Sequence, residues 1–358
     1  MILAFVHLGT AIPRYLKENI LRSLRLFPEV NVSLVCDYDL DVKDWDLPRG
    51  SKFRIYKWSR ALLTLREIEI LEKLENDSSF RSGYWSLTIE RLFALTSIFA
   101  ETDQPLLHIE SDVLLFPNFP MSRFDHKISP LIWGAARDGE DIAAIFFVRS
   151  NRDMCSFRKI AFDLLETNPR HTDMSLLYEI RNRGLISVGV LPFITDHKQN
   201  TPDLRTKNIN TVHLFDSFKG NFDVAPLGMW LTGIDPRNTY GFLVLRDDKQ
   251  LNRIGYYSNV PQNAKFNLDE SGCLWNDDVP VYSLHIHSKQ VSLFSPEWVP
   301  KLRELVLRSQ KLGTKIEGFN LRLFFSLLIE NFRHNSFLNY IYSFFKWSFH
   351  RMSSKFHD

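Results

Sequence analysis

Cysteine is scarce in this chain of 358 residues: Cys36, Cys155 and Cys273 stand far apart and form no C-x-x-C pair. Such spacing excludes a disulfide framework and a thiolate metal centre, and it fits a reducing, cytoplasmic compartment. Net charge is nearly absent too. The 44 Lys and Arg face 42 Asp and Glu, a balance of +2 that is too small for nucleic-acid binding by bulk electrostatics. No uninterrupted run of about 18 apolar residues occurs, so a spanning helix is not expected. The opening "MILAFVHLGT" has no cationic flank and is too short for a signal h-region, which makes it the expected first core strand. A Walker A loop, a G-x-G-x-x-G crossover, a G-x-S-x-G elbow, H-E-x-x-H and H-x-H-x-D are all missing, and several common enzyme classes go with them.

What is present is an ordinary globular composition, 44% apolar and 24% charged, long enough for one large α/β domain or two smaller ones. "ILAFVHLG" is a short apolar run ending at Gly9. A helical pattern follows through Ile20, Leu21, Leu24 and Leu26 to Pro28, and "VNVSLVCDYD" then reads as a second strand. Strand, helix, strand predicts an α/β fold with a mostly parallel sheet, where ligands sit at the carboxyl ends of strands. His7–Thr10, Asp37 and Asp39 fall at such ends. Helices are expected over 61–76, 86–101 and 172–182, the last capped by Thr172 or Asp173, and strands over 141–150 and 281–289. Within 86–101, Arg91 shares a stripe with Leu87, Ala94, Leu95 and Ile98. An inward guanidinium needs a partner: an acidic neighbour in a structural ion pair, or an anion that it clamps.

"LLHIESDVLLF" (106–116) carries His108, Glu110 and Asp112 at a spacing of two, which puts all three on one face of a regular strand. Two carboxylates at a strand end suit a hard divalent cation, Mn²⁺ or Mg²⁺, which can neutralise a diphosphate. "LHIHSK" repeats the spacing with His285, His287 and Lys289, imidazoles for a metal and an ammonium for phosphate. Asp223 precedes a short helical pattern and is either its N-cap or a carboxylate aimed at an acceptor hydroxyl. Asp235 and Arg237 in "IDPRN" are accounted for by a turn. From the residues alone, a metal-dependent hydrolase using His108, Glu110, Asp112, His285 and His287 is an open alternative.

Taken together, "ERLFALTSIF", "LLHIESDVLLFPNF", "TDMSLL", "FDVAPLGMWLTGIDPRN" followed by "GF", and "LHIHSK" resemble GT-A-fold glycosyltransferases of a bacterial type that builds surface polysaccharide. The resemblance spans roughly residues 1–290. It implies a nucleotide-sugar donor, most simply a UDP-sugar, and a glycan or lipid-linked glycan acceptor, with Mn²⁺ or Mg²⁺ as cofactor. On the family pattern Glu110-Ser111-Asp112 takes the D-x-D place, with Glu a departure at its first position. Asp112 would ligate the metal, Glu110 would reach ribose or a metal-bound water, and His285 or His287 would complete the site. Lys289 would hold the diphosphate, with Arg91 near a phosphate or in the scaffold, and His7, Gly9, Thr10 and Asp37 would surround the base and ribose. Asp223 would be the general base of an inverting enzyme, a role worth roughly 10²–10⁴-fold. A non-catalytic glycan-binding protein is the remaining alternative.

The expected catalytic domain is 1–295, followed by a helical segment, 296–358. Residues 320–358 carry five Lys and Arg against Glu330 and Asp358 and are rich in Phe, Tyr and Trp. That mixture suggests contact with the inner membrane face.

Overall fold

The computed structural model describes residues 1–9, 11–76, 84–125, 127–137, 139–193, 211–235, 242–245, 265–309 and 315–319, together with 321, 324, 325, 328, 329, 341 and 344. Thr10 and Arg237 therefore lie outside the described residues.

The chain opens with β1 (Ile2–His7), α1 (Arg14–Leu26), β2 (Asn31–Cys36) and β3 (Phe53–Lys57). The helices α2 (Leu65–Asn76), α3 (Tyr84–Ala94) and α4 (Thr96–Phe99) lead to β4 (Leu106–Ile109) and β5 (Val113–Leu115). Next come β6 (Leu131–Arg137), β7 (Glu140–Val148), α5 (Asn151–Thr167), α6 (Asp173–Asn182), β8 (Val188–Val190) and β9 (Thr211–His213). They are followed by α7 (Phe215–Phe218), α8 (Pro226–Thr232), β10 (Phe242–Leu245), β11 (Phe266–Leu268), β12 (Leu274–Asn276), β13 (Val279–Val281) and β14 (Ser283–His285). Last are α9 (Trp298–Ser309) and β15 (Lys315–Phe319).

Eight strands form one sheet in the order β3-β2-β1-β4-β7-β6-β8-β9. Only β7 runs against its neighbours, so the sheet is mostly parallel, as the strand–helix–strand order predicts. β1 shows why this sequence makes a central strand. Ile2, Ala4 and Val6 enter one apolar core with α2, α3, α5 and α6, while Leu3 and Phe5 enter a second core with α1. Both faces are covered, so the run is apolar throughout rather than alternating. On α1, Leu16, Ile20 and Leu24 recur every fourth residue and are all buried.

Several sequence expectations need revision. The strand expected over 106–116 is broken: β4 stops at Ile109, Glu110-Ser111-Asp112 turns, and the Val113 N–H closes the turn on the Glu110 carbonyl at 3.0 Å. β5 then pairs antiparallel with β14 outside the main sheet. His108, Glu110 and Asp112 therefore do not share a strand face. The strand expected to carry Lys289 ends at His285, and Lys289 adopts φ 52 in a turn. The stripe drawn through Leu87 is also displaced, since Leu87 is exposed while Ile89, Leu92 and Phe93 are buried. The expected helix past 296 holds at α9, but β15 interrupts it and pairs with β10. Trp298, Leu302, Leu305 and Val306 of α9 pack with Leu114, Phe116, Leu227, Leu284 and Ile286 in a third core beneath β5 and β14.

Candidate functional site

β1 and β4 run parallel with Ala4 opposite His108, so the loop after His7 and the turn after Ile109 emerge at the same edge of the sheet. The β5–β14 pairing sets His285 opposite Val113, and the Ile286 N–H donates to the Asp112 carbonyl at 2.7 Å. Backbone pairing thus brings residues 110–112 and 285–289 together despite their distance in sequence.

His285 stands between the two carboxylates. Its Nε2 lies 3.2 Å from Glu110 Oε2 and 3.3 Å from Asp112 Oδ1, while its Nδ1–H donates to the Val224 carbonyl at 2.8 Å. That last bond fixes the ring and aims Nε2 at the acids. Burial opposes a charge on this imidazole, but Asp112 and Glu110 outweigh it and push its pKa up to about 9. Burial likewise disfavours an ionised Asp112, yet Lys289 and His285 hold its carboxyl well below the usual range. Among the described residues, Glu110, Asp112 and His285 offer three ligand atoms within 4.8 Å of one another. Neighbouring ligands of an octahedral ion with bonds of about 2.1 Å sit about 3 Å apart, so this spacing accommodates a divalent cation. Hard carboxylates with one imidazole fit Mn²⁺ or Mg²⁺.

Two cations flank the three donors. Arg91 Nη2 is 2.5 Å from Glu110 Oε1 and 3.4 Å from Asp173 Oδ2. Burial works against the guanidinium, and Glu110 and Asp173 more than compensate, so its pKa is raised. Lys289 Nζ is 3.0 Å from Asp112 Oδ2 and 3.5 Å from Asp235 Oδ2. His287 stacks on His285 with ring centroids 4.0 Å apart. Burial and the neighbouring imidazole lower the pKa of His287, and its Nε2 has no hydrogen-bond partner among the described residues.

At the adjoining strand ends, the Gly9 N–H donates to Asp37 Oδ1 at 3.2 Å with Gly9 at φ 144, a backbone conformation that favours glycine. His7 Nε2 is 2.9 Å from the Ala11 carbonyl, and its ring meets Tyr38 edge-on. His7, Gly9 and Asp37 therefore form one loop cluster.

Two sequence candidates occupy other places. Asp223 is 2% exposed, and its carboxylate accepts backbone N–H groups from Leu227 at 3.1 Å, Gly228 at 2.6 Å and His285 at 2.9 Å. These bonds satisfy N–H groups in the first turn of α8, whose N-cap position is Ala225 rather than Asp223, and tie the helix to β14, so the buried carboxylate is engaged by backbone donors. Burial raises its pKa to about 6. His108 is fully buried, its Nδ1 is 3.1 Å from the Ala4 carbonyl, and burial and Arg91 press its pKa down to about 3. It is not among the three clustered donors.

The structure also adds Asp173 and Asp235, which sequence reasoning placed in a helix cap and a turn. Asp173 opens α6, where Thr172 and Ser175 cap each other reciprocally. Burial pushes Asp173 up to about 6 against the pull of Arg91 and of hydrogen bonds from Met174 and Thr88, and among the described residues its Oδ1 accepts no hydrogen bond. The signal for Asp173 lay in Arg91, whose inward position demands an acid.

No protein-family model and no curated protein matches this chain. Among solved structures, the chain is similar to the galactosyltransferase LgtC in complex with donor and acceptor sugar analogues. That similarity has a TM-score of 0.39 and 14% identity over 58% of this chain and 84% of that one. The PaToxG glycosyltransferase shares a TM-score of 0.33 and 11% identity over 49% of this chain and 63% of that one. The apo-form glycosyltransferase GlyE of Streptococcus pneumoniae TIGR4 shares 0.34 and 14% over 51% and 42%.

Proposed function

We propose that the chain is a GT-A-type glycosyltransferase that moves a sugar from a nucleotide-sugar, most simply a UDP-sugar, to a hydroxyl of a glycan or lipid-linked glycan. The observation that carries this reading is the Glu110, Asp112 and His285 cluster flanked by Lys289 and Arg91 at the carboxyl edge of the sheet. Asp112, His285 and Glu110 would hold Mn²⁺ or Mg²⁺, which when bound supplies positive charge to a departing diphosphate. Lys289 carries an ammonium within reach of the same place and, by exchanging one of its two carboxylate partners for phosphate oxygens, holds the diphosphate. Arg91 fixes the Glu110 carboxylate from the other side. The cluster of His7, Gly9 and Asp37, with Thr10 beside it in sequence, is the proposed base and ribose site. His287 supports the His285 ring by stacking. Asp173, paired with Arg91 and with one oxygen that accepts no hydrogen bond among the described residues, is the carboxylate offered to a sugar hydroxyl. Asp223 positions His285 through its backbone. The hydrolase alternative loses a ligand, because His108 points into the core.

Thermal unfolding against a panel of nucleoside diphosphates and nucleotide-sugars, each with Mn²⁺ and with EDTA, tests this proposal. The expected result is a Mn²⁺-dependent rise for one base, abolished in Asp112→Asn, with release of that nucleoside diphosphate on turnover. At a ligand concentration of one hundred times Kd, the stabilisation is about 2.7 kcal/mol. Stabilisation by metal with indifference to every nucleotide would sink the transferase and restore the hydrolase.

A further inference from the structure

Asn19 interrupts the buried face of α1. Leu16, Ile20 and Leu24 pack in an apolar core, yet Asn19 among them is only 1% exposed. An amide carried into a core without a hydrogen bond is costly, and Asn is a poorer helix former than Leu, so its presence there calls for partners. It has two. Asn19 Nδ2 donates to the Val113 carbonyl at 2.8 Å and to the Ser111 carbonyl at 3.2 Å. Both partners are acceptors, so the NH₂ end faces them, and Oδ1 is left buried with no hydrogen-bond partner among the described residues.

The two carbonyls belong to the residues on either side of Asp112, and topology explains why they need a donor. β5 pairs with β14 alone, in a sheet of two strands. Asp112 and Phe116 direct backbone bonds across to β14, the Asp112 carbonyl accepting from Ile286 and the Phe116 N–H donating to Tyr282. Val113 and His285 lie opposite each other next to the Asp112–Ile286 bond, so their own backbone groups point outward, away from the partner strand. On the β14 side the outward N–H of His285 is met by Asp223. On the β5 side the outward N–H of Val113 turns back to Glu110, and its carbonyl is met by Asn19. Side chains thus stand in for the missing outer strands of this ribbon, one beside each strand that bears a candidate metal ligand. Asn19 does so from a helix 92 residues before Ser111 in the chain.

We propose that Asn19 is a positioning residue for the metal site: by holding the carbonyls on both sides of Asp112, it fixes the turn in which Asp112 and Glu110 face His285. The proposal rests on the reading of Glu110, Asp112 and His285 as a divalent-cation site. It does not depend on the donor, the acceptor or turnover.

Mn²⁺ titration followed by electron paramagnetic resonance, with urea unfolding of the same preparations, tests it on the full chain. Asn19→Leu keeps roughly the size of the side chain and removes both donors. It is expected to weaken Mn²⁺ binding about 10- to 100-fold under conditions where it is folded. Asn19→Ser, a milder change that is too short to bridge both carbonyls, should shift affinity in the same direction by less. Leu24→Ala destabilises the same helix through a side chain with no hydrogen bond to the turn, and should bind Mn²⁺ within about twofold of wild type. Asp112→Asn should lose binding. Unchanged affinity in both Asn19 variants, with binding lost in Asp112→Asn, would overturn the positioning role and leave the metal site standing. An equal loss in Leu24→Ala would reduce Asn19 to general packing and sink the proposal as well. No binding by wild type, or binding that survives Asp112→Asn, would remove the metal site itself and the role of Asn19 with it.

Discussion

A carboxylate surrounded by backbone N–H groups has different work from one left open to a substrate, and Asp223 belongs to the first kind. Its oxygens accept from Leu227, Gly228 and His285, so it joins the start of α8 to the strand that delivers His285. Asp223→Asn puts an amide NH₂ against at least one of these buried donors. An unpaired buried donor costs roughly 1–3 kcal/mol, so the variant is expected to lose about 2–4 kcal/mol in urea unfolding. Asp223→Ala should lose more. Mn²⁺ affinity should fall together with stability, because the His285 backbone is released. A variant with unchanged unfolding and abolished turnover would instead make Asp223 the base. Lys289 and Arg91 show the opposite pattern: each bridges two acids, so either can surrender one partner to an incoming anion and keep the other.

At the scale of elements, the site depends on how closely α8 lies on β14. A Cβ added at Gly228 would sit 1.8 Å from the His285 carbonyl oxygen and 2.7 Å from Asp223 Oδ2. Neither neighbour can yield, one being strand backbone and the other a buried carboxylate. Gly228→Ala is therefore expected to destabilise by about 3 kcal/mol or more and to weaken Mn²⁺ binding at least tenfold. Equilibrium unfolding and metal titration of the same preparation would check both. Unchanged stability would mean that the close approach of α8 and β14 is not required. This dependence was not legible in the sequence, where "PLGMWLT" gives no sign that its glycine faces a strand more than fifty residues away. What was legible followed from local pattern. The apolar run of β1, the parallel sheet, the Thr172 cap and the carboxylates after β4 each come from propensity or spacing within a few residues. The places where sequence reasoning failed share one cause, since tertiary pairing overrode period. β5 leaves the sheet to meet β14, and Lys289 turns instead of extending. Asp112 and His285 were named for the wrong geometric reason, a shared strand face, yet they converge because two turns meet.

The whole molecule is organised so that the carboxyl edge of one sheet collects residues from Arg91 to Lys289, with the third apolar core beneath β5 and β14 holding that edge in place. α9 is part of this support. Trp298, Leu302, Leu305 and Val306 are all under 10% exposed and pack on Leu114, Phe116, Leu284 and Ile286, the strands that present Asp112 and His285. Arg22 of α1 also lies over the Trp298 ring at 4.1 Å. A boundary at residue 295, read from composition, would therefore cut through packing. Burying a large apolar side chain is worth about 1.5–3 kcal/mol, so losing four exposes roughly 6–12 kcal/mol of burial, comparable with the total stability of a domain. A chain ending at 295 is expected to be insoluble or to unfold without a cooperative transition. A chain ending at 319, which keeps α9 and the β10–β15 pair, should retain a cooperative transition and Mn²⁺ binding. Calorimetry of the two truncations distinguishes them. If the chain ending at 295 melts as sharply as the longer one, the third core is not what holds Asp112 and His285 together.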